Sequence, residues 1–86
     1  MNETRETRLK RLNMRSMRRG TKEMDILLMR YAAARLADLS DEQLGAYEAL
    51  LDENDQDLYQ WISGQVPAPA VHAPMISEIT QVAANG

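Results

Sequence analysis

An all-α fold, a small compact bundle of about five short helices, is what this sequence predicts. Three observations lead there. Apolar residues return at three- and four-residue intervals through most of the chain, the spacing of one face of a helix. Polar, glycine and proline clusters break that rhythm at Gly20, near residues 39–41, at 52–55 and at 65–74. Finally, 86 residues make one small domain, 1–86, able to bury about 60% of its unfolded surface. With no Phe and one Trp, its core must lean on Leu, Ile, Met, Ala and three Tyr.

The elements follow in order. Residues 1–5 are expected to be a disordered N-terminus leading into a helix from Arg5 to Met17. Leu9, Leu12, Met14 and Met17 are expected on one broad arc, with Arg8, Arg11, Arg15, Arg18 and Arg19 gathered opposite. That arginine face is either the solvated side of an amphipathic helix or a docking surface for acidic protein, phosphate or nucleic acid. Residues 21 to about 37 read as the strongest helix. Met24, Leu27, Leu28, Tyr31 and Leu36 form its apolar face, and Ala32, Ala33 and Ala34 add propensity. Ser40 at the N-cap and Gln43 three residues on make a capping box. The helix it opens should run to about Asp52 and bury Leu44, Tyr47, Leu50 and Leu51. Gly45 costs that helix roughly 1 kcal/mol against Ala, which a close helix crossing would explain.

Asp55 is the expected N-cap of a short fourth helix ending at Ser63 and Gly64, with Leu58, Trp61 and Ile62 as its apolar stripe. Trp61 reads as a core anchor. Residues 65–74 hold three prolines and read as an extended connection with polyproline II character. His72 lies within it, where nothing is expected to hold its ring or tautomer. In residues 75–86, Met75, Ile76, Ile79, Val82 and Ala83 suit a C-terminal helix that packs on the bundle or frays.

Composition narrows the chemistry. The absence of cysteine excludes disulfides, thiol catalysis and sulfur-ligated metal, and a single His argues against a zinc site. Catalysis would need convergent groups in a cleft, and no Ser-His pairing or phosphate-cradling glycine loop occurs. The carboxylate pairs Asp52/Glu53 and Asp55/Asp57 are explained by capping and solvation. The chain therefore reads as a binding protein, not an enzyme. No run approaches the ~18 apolar residues of a membrane span, and the N-terminus lacks the apolar region of a secretory signal. A cytoplasmic protein without membrane insertion is expected.

The net charge of -3 hides a polarity. Residues 1–22 carry eight Lys/Arg against two Glu, while residues 23–86 carry two Arg against eleven Asp/Glu. Such asymmetry either steers a partner or pairs internally.

The stretch from Met17 to Asp25 joins the two regimes. Gly20 lets the chain turn sharply and lets another surface approach its backbone. A helix starting just after it would place Glu23 and Asp25 where the helix dipole favours negative charge, with Glu23 at N3 reaching back to the Gly20 amide. Here Arg19-Gly20-Thr21-Lys22-Glu23 resembles the RGxxE signature of the succinate dehydrogenase FAD assembly (flavinylation) factor family. These small proteins promote covalent FAD attachment to the flavoprotein subunit. A second stretch, Asp55-Gln56-Asp57-Leu58-Tyr59-Gln60-Trp61, is similar to that family's D-P-D-L-[FY]-x-W string, with Gln56 where the family usually has Pro. The resemblance covers residues 9–64.

The resemblance implies a helical assembly factor that docks on the flavoprotein subunit of succinate dehydrogenase, in some cases also fumarate reductase. It implies no stably bound cofactor, only action on the FAD of the partner. Arg19, Gly20 and Glu23 match the family's functional motif, with Arg18 and Asp25 as supporting partner-binding candidates; no catalytic or metal-binding residue is expected. Arg19 would offer its guanidinium to an anion on the partner, and Gly20→Glu would spare the isolated fold while abolishing co-purification. A monomer is expected when free. The alternatives are a small nucleic-acid-binding protein using the arginine face, against which the acidic remainder and low pI argue, and a helical adaptor for an unrelated acidic protein.

Overall fold

The computed structural model describes residues 3–85. Five α-helices follow one another: α1 Arg5–Met17, α2 Lys22–Arg35, α3 Asp41–Leu51, α4 Asp55–Ser63 and α5 Ala73–Asn85, with a 3-10 turn, Leu36–Asp38, closing α2. No strand occurs among the described residues. Helix α2 is central and packs on α1, α4 and α5, while α3 lies against α1 and α5. Leu12, Met24, Leu28, Tyr31, Leu44, Tyr47, Leu50, Leu58 and Ile79 are wholly buried between them.

Local signals set the helix starts. The Thr4 hydroxyl accepts the Thr7 amide hydrogen at 3.1 Å and caps α1. Ser40 and Gln43 form the capping box, each side chain accepting the other residue's amide hydrogen. Gly64 ends α4 in the left-handed conformation, φ 83°, which L side chains avoid. Of residues 1–5, expected to be disordered, Arg5 is the first residue of α1, Thr4 caps it and Glu3 pairs with Arg11; Met1 and Asn2 lie outside the described residues.

Helix α1 departs from its expected packing. Met14 and Met17 are 50% and 52% exposed, and Ser16 is buried in their stead. At ~100° per residue Met14 lies about 160° round the helix from Leu12, so the two cannot share a buried stripe. The Ser16 hydroxyl donates to the Leu12 carbonyl at 2.8 Å and stands 2.6 Å from the Tyr47 hydroxyl. Burial pushes the Tyr47 phenol up to about 12.

The flank of α1 between these two faces carries arginines that reach α3. Arg5 pairs with Asp41 at 3.0 Å, Arg8 and Arg11 with Glu48 at 3.4 and 2.7 Å, and Arg15 with Asp52 at 2.8 Å. The partners advance in the same order, so α1 and α3 run in the same direction. Arg5 also donates to the carbonyls of Ala37 and Leu39, which gather the turn before α3. Much of the charge polarity along the chain is therefore matched inside the molecule.

This network predicts an acid-sensitive fold. Hydrogen bonding to Arg11 holds the Glu48 and Glu3 carboxyls below their ordinary 4.5. Carboxylates depressed in the folded state stabilise it above their unfolded pKa and lose that contribution as pH falls through the folded value. Urea-unfolding midpoints should fall below about pH 4.5, and Arg11→Gln should flatten this part of the profile. An unchanged profile in the variant would remove Arg11 from the acid response.

Gly45 is not a close helix crossing. A Cβ there would meet only the Arg8 guanidinium, at 3.7 Å, an ordinary contact. Gly45→Ala is accordingly expected to stabilise the protein by about 0.5–1 kcal/mol, seen as a higher melting temperature.

Two expectations at the C-terminal side are corrected. The N-cap of α4 is Asn54, whose side chain accepts the Gln56 amide hydrogen at 2.7 Å; Asp55 is the first helical residue. Gln56 supplies a donor that proline would lack, and the cap uses it. His72 is 5% exposed rather than loose in a linker. Its Nε2 lies 2.8 Å from Glu53 Oε2 and its ring stacks on Trp61 at 5.7 Å between centroids. The chain turns there because the Pro69 carbonyl accepts from the amides of His72 and Ala73, starting α5 at Ala73.

Candidate functional site

The loop between α1 and α2 is held by one arginine. Arg19 Nε donates to Asp55 Oδ1 at 2.6 Å, Nη1 to the Leu51 carbonyl at 2.9 Å and Nη2 to the Glu53 carbonyl at 3.0 Å. The two side chains are only 10% and 15% exposed. The pair sits where α3 ends and α4 begins. Carbonyls at the end of one helix favour the cation and amides at the start of the next favour the anion, so both helix dipoles support it. A nearly buried ion pair must recover its desolvation through geometry and added hydrogen bonds; the two carbonyls supply these.

Backbone groups of the loop join the same cluster. Asp55 Oδ2 accepts the Gly20 amide hydrogen at 2.5 Å, and Asp25 Oδ1 accepts the Arg19 amide hydrogen at 2.6 Å. Thr21 caps α2, its hydroxyl accepting from the Met24 amide at 3.3 Å. Glu23 is therefore at N2, one position short of a capping box. It makes no hydrogen bond among the described residues and is exposed. The expected Glu23–Gly20 contact is not made, since Glu23 is not at N3, and the Gly20 amide donates to Asp55 instead.

Glycine at position 20 answers to that approach. Its φ is not positive, so backbone freedom is not what the position requires. A Cβ would stand 3.0 Å from Asp55 Oδ2, tighter than side chains normally pack.

The sequence-predicted site residues thus separate into two groups. Arg19 and Asp25 face inward and fix the loop. Arg18, Gly20 and Glu23 are exposed. Beside them opens a groove of about 410 Å³ lined by Thr21, Glu23, Asp55, Gln56, Tyr59 and Gln65, with the Tyr59 ring 42% exposed. Sequence reasoning missed Asp55 as the loop's anchor and took it for a cap. The available signal was the pairing of two separated strings, since Asp55 opens the second and its carboxylate holds the first. Among the described residues no group of His, Asp and Glu stands where it could hold a metal ion.

Fold and site together define a class: a small helical bundle that presents a braced interhelical loop and an adjoining open groove. The chain belongs to the Sdh5 family, described as "Flavinator of succinate dehydrogenase", whose profile matches residues 10–83. Among its relatives are proteins named succinate dehydrogenase assembly factor 2, mitochondrial. The one from Meyerozyma guilliermondii is 52% identical over 59 residues, covering 69% of this chain and 44% of that protein. Those from Mycosarcoma maydis and Yarrowia lipolytica are 41% and 36% identical, covering 79% and 93% of this chain. The chain spans 29% and 59% of their respective lengths.

Proposed function

We propose that this protein is an assembly factor that binds the flavoprotein subunit of succinate dehydrogenase and promotes covalent attachment of FAD to it. The observation that carries the reading is the braced loop in a chain of the Sdh5 family: Arg19 and Asp55 hold the loop at Gly20, three residues before the exposed Glu23. A loop fixed before docking loses little conformational entropy on binding. Arg18 and Glu23 are the contacts offered to the flavoprotein, and Arg19, Gly20 and Asp25 set the shape they are offered in. The protein holds no FAD of its own and acts as a monomer; the flavin and its host supply the bond-forming chemistry.

Promotion is a population shift. The factor binds more tightly the flavoprotein conformer in which the flavin and the flavoprotein side chain that bonds to it are aligned, and a tenfold preference corresponds to about 1.4 kcal/mol. It works wherever the flavoprotein folds; the relatives named above carry the description mitochondrial. No helix of the described residues is long and apolar enough to cross a membrane. The nucleic-acid reading has lost ground, because four of its five arginines, Arg8, Arg11, Arg15 and Arg19, are engaged by carboxylates.

The test is to mix purified flavoprotein subunit, FAD and this protein and follow covalent flavin by in-gel fluorescence. Glu23→Ala and Arg18→Ala are each expected to slow attachment about tenfold with an unchanged melting temperature. A flavin attachment rate that does not respond to the wild-type protein would overturn the assembly role.

A further inference from the structure

One face of α1 points away from the core and is open to solvent. Thr7, Lys10, Arg11, Met14 and Arg18 line it, around a groove of about 500 Å³. Met14 is half exposed at its centre, and Arg18 makes no ion pair among the described residues. Lys10 has only Glu6, at 3.8 Å, both side chains largely in solvent.

A carboxylate already lies at the edge of this groove. Glu3 Oε2 accepts from Arg11 Nε and Oε1 from Arg11 Nη2, each at 2.9 Å, a fork-to-fork pair. Arg11 Nη1 remains on Glu48 at 2.7 Å. The Nε and Nη2 edge of Arg11 is thus a carboxylate seat, filled by a residue from the chain's own N-terminal segment. Two-point recognition of this kind suits a planar carboxylate, and Arg11 holds the Glu3 carboxyl below its usual value.

We infer that this face of α1 is a second docking surface, which takes a short acidic polypeptide segment carrying an apolar side chain, and that Glu3 occupies its arginine seat until such a segment displaces it. The incoming carboxylate takes the Glu3 position on Arg11, the apolar side chain covers Met14, and Lys10 and Arg18 meet further acidic groups. Three exchangeable cations suit a short acidic motif. Nucleic acid would need many more phosphate contacts to bind firmly, stacking surfaces that this face lacks, and tolerance of the acidic remainder. Resting on the reading above, the segment belongs to the flavoprotein subunit, and exchange with Glu3 gives the contact a built-in competitor.

The experiment uses the full chain and a short fluorescein-labelled peptide alternating glutamate and leucine, followed by anisotropy at low salt. Lys10→Glu combined with Met14→Glu is expected to weaken the peptide at least about tenfold, with the helical content kept. Glu3→Gln is expected to strengthen it about threefold by removing the competitor. Peptide binding unmoved by either variant, or an oligonucleotide of equal charge bound as tightly as the peptide, would overturn the proposal. A flavoprotein capture assay separates the two readings. Undiminished capture by the Lys10/Met14 variant removes the α1 surface and leaves the assembly role standing. Failure of the wild-type protein to capture flavoprotein removes the assembly role and the identity of the segment with it, and the peptide titration then decides the surface alone.

Discussion

Asp55→Ala is expected to destabilise the protein by about 3 kcal/mol, among the largest effects of any single substitution here. The carboxylate receives both Arg19 Nε and the Gly20 amide hydrogen. Removing it leaves a guanidinium that is 10% exposed with carbonyl partners only, and breaking a buried pair from one side costs about 3–5 kcal/mol. The lower end applies because the Leu51 and Glu53 carbonyls remain. For a domain of this size the melting temperature should fall by more than ~10 °C. Asp55→Asn, which keeps an acceptor but not the charge, should lose roughly half as much. Equal melting temperatures for wild type and Asp55→Ala would show that the loop stands without its brace. The functional consequence is separable: at a temperature where the variant is folded, the loop is released, and flavoprotein binding should weaken with Arg18 and Glu23 both intact.

Gly20→Glu is expected to fail in two ways at once. The new Cβ stands 3.0 Å from Asp55 Oδ2, and the new carboxylate adds a like charge beside the one that holds Arg19. Displacing Asp55 loses part of the same brace, so about 2–3 kcal/mol should go with it. The sequence alone leads to the expectation that the isolated fold survives this substitution largely intact; the 3.0 Å approach to Asp55 leads to the opposite expectation, and the variant's stability decides between them. Loss of flavoprotein capture in Gly20→Glu would not isolate the contact, whereas Glu23→Ala, at an exposed side chain, does. Gly20→Ala is the graded control and should cost about 1 kcal/mol. Wild-type stability in Gly20→Glu, measured by urea unfolding, would mean that Asp55 moves aside freely.

The parts of this protein that follow from short-range chemistry were legible in the chain. Helix α1 could be bounded from periodicity, the start of α3 from the Ser40–Gln43 box, and the end of α4 from Gly64. The buried residues of α3 and α4 fell out of the same spacing. Each of these depends on neighbours within about four positions, which is the reach of a helical turn. The second string was also visible, though its purpose was not. Asn54 rather than Asp55 caps α4 because both residue types cap well and only the path of the chain chooses between them.

What depended on distant residues was not legible. An arginine in a sequence carries no mark of whether its fork points to solvent or to a carboxylate thirty-six positions on, so Arg19 read as an outward contact and is an inward brace. His72 read as loose and is packed between Trp61 and Glu53, because α5 turns back over α4.

The sequence by itself determined the helices, most of the core and the family resemblance, since these rest on local spacing and short strings. Only the tertiary structure decided which charges meet: Arg19 with Asp55, and Glu3 with Arg11 across the first turns of α1. The reason is physical. A charge keeps its strength only where another chain segment excludes water from it, and which segment that is depends on how the helices pack.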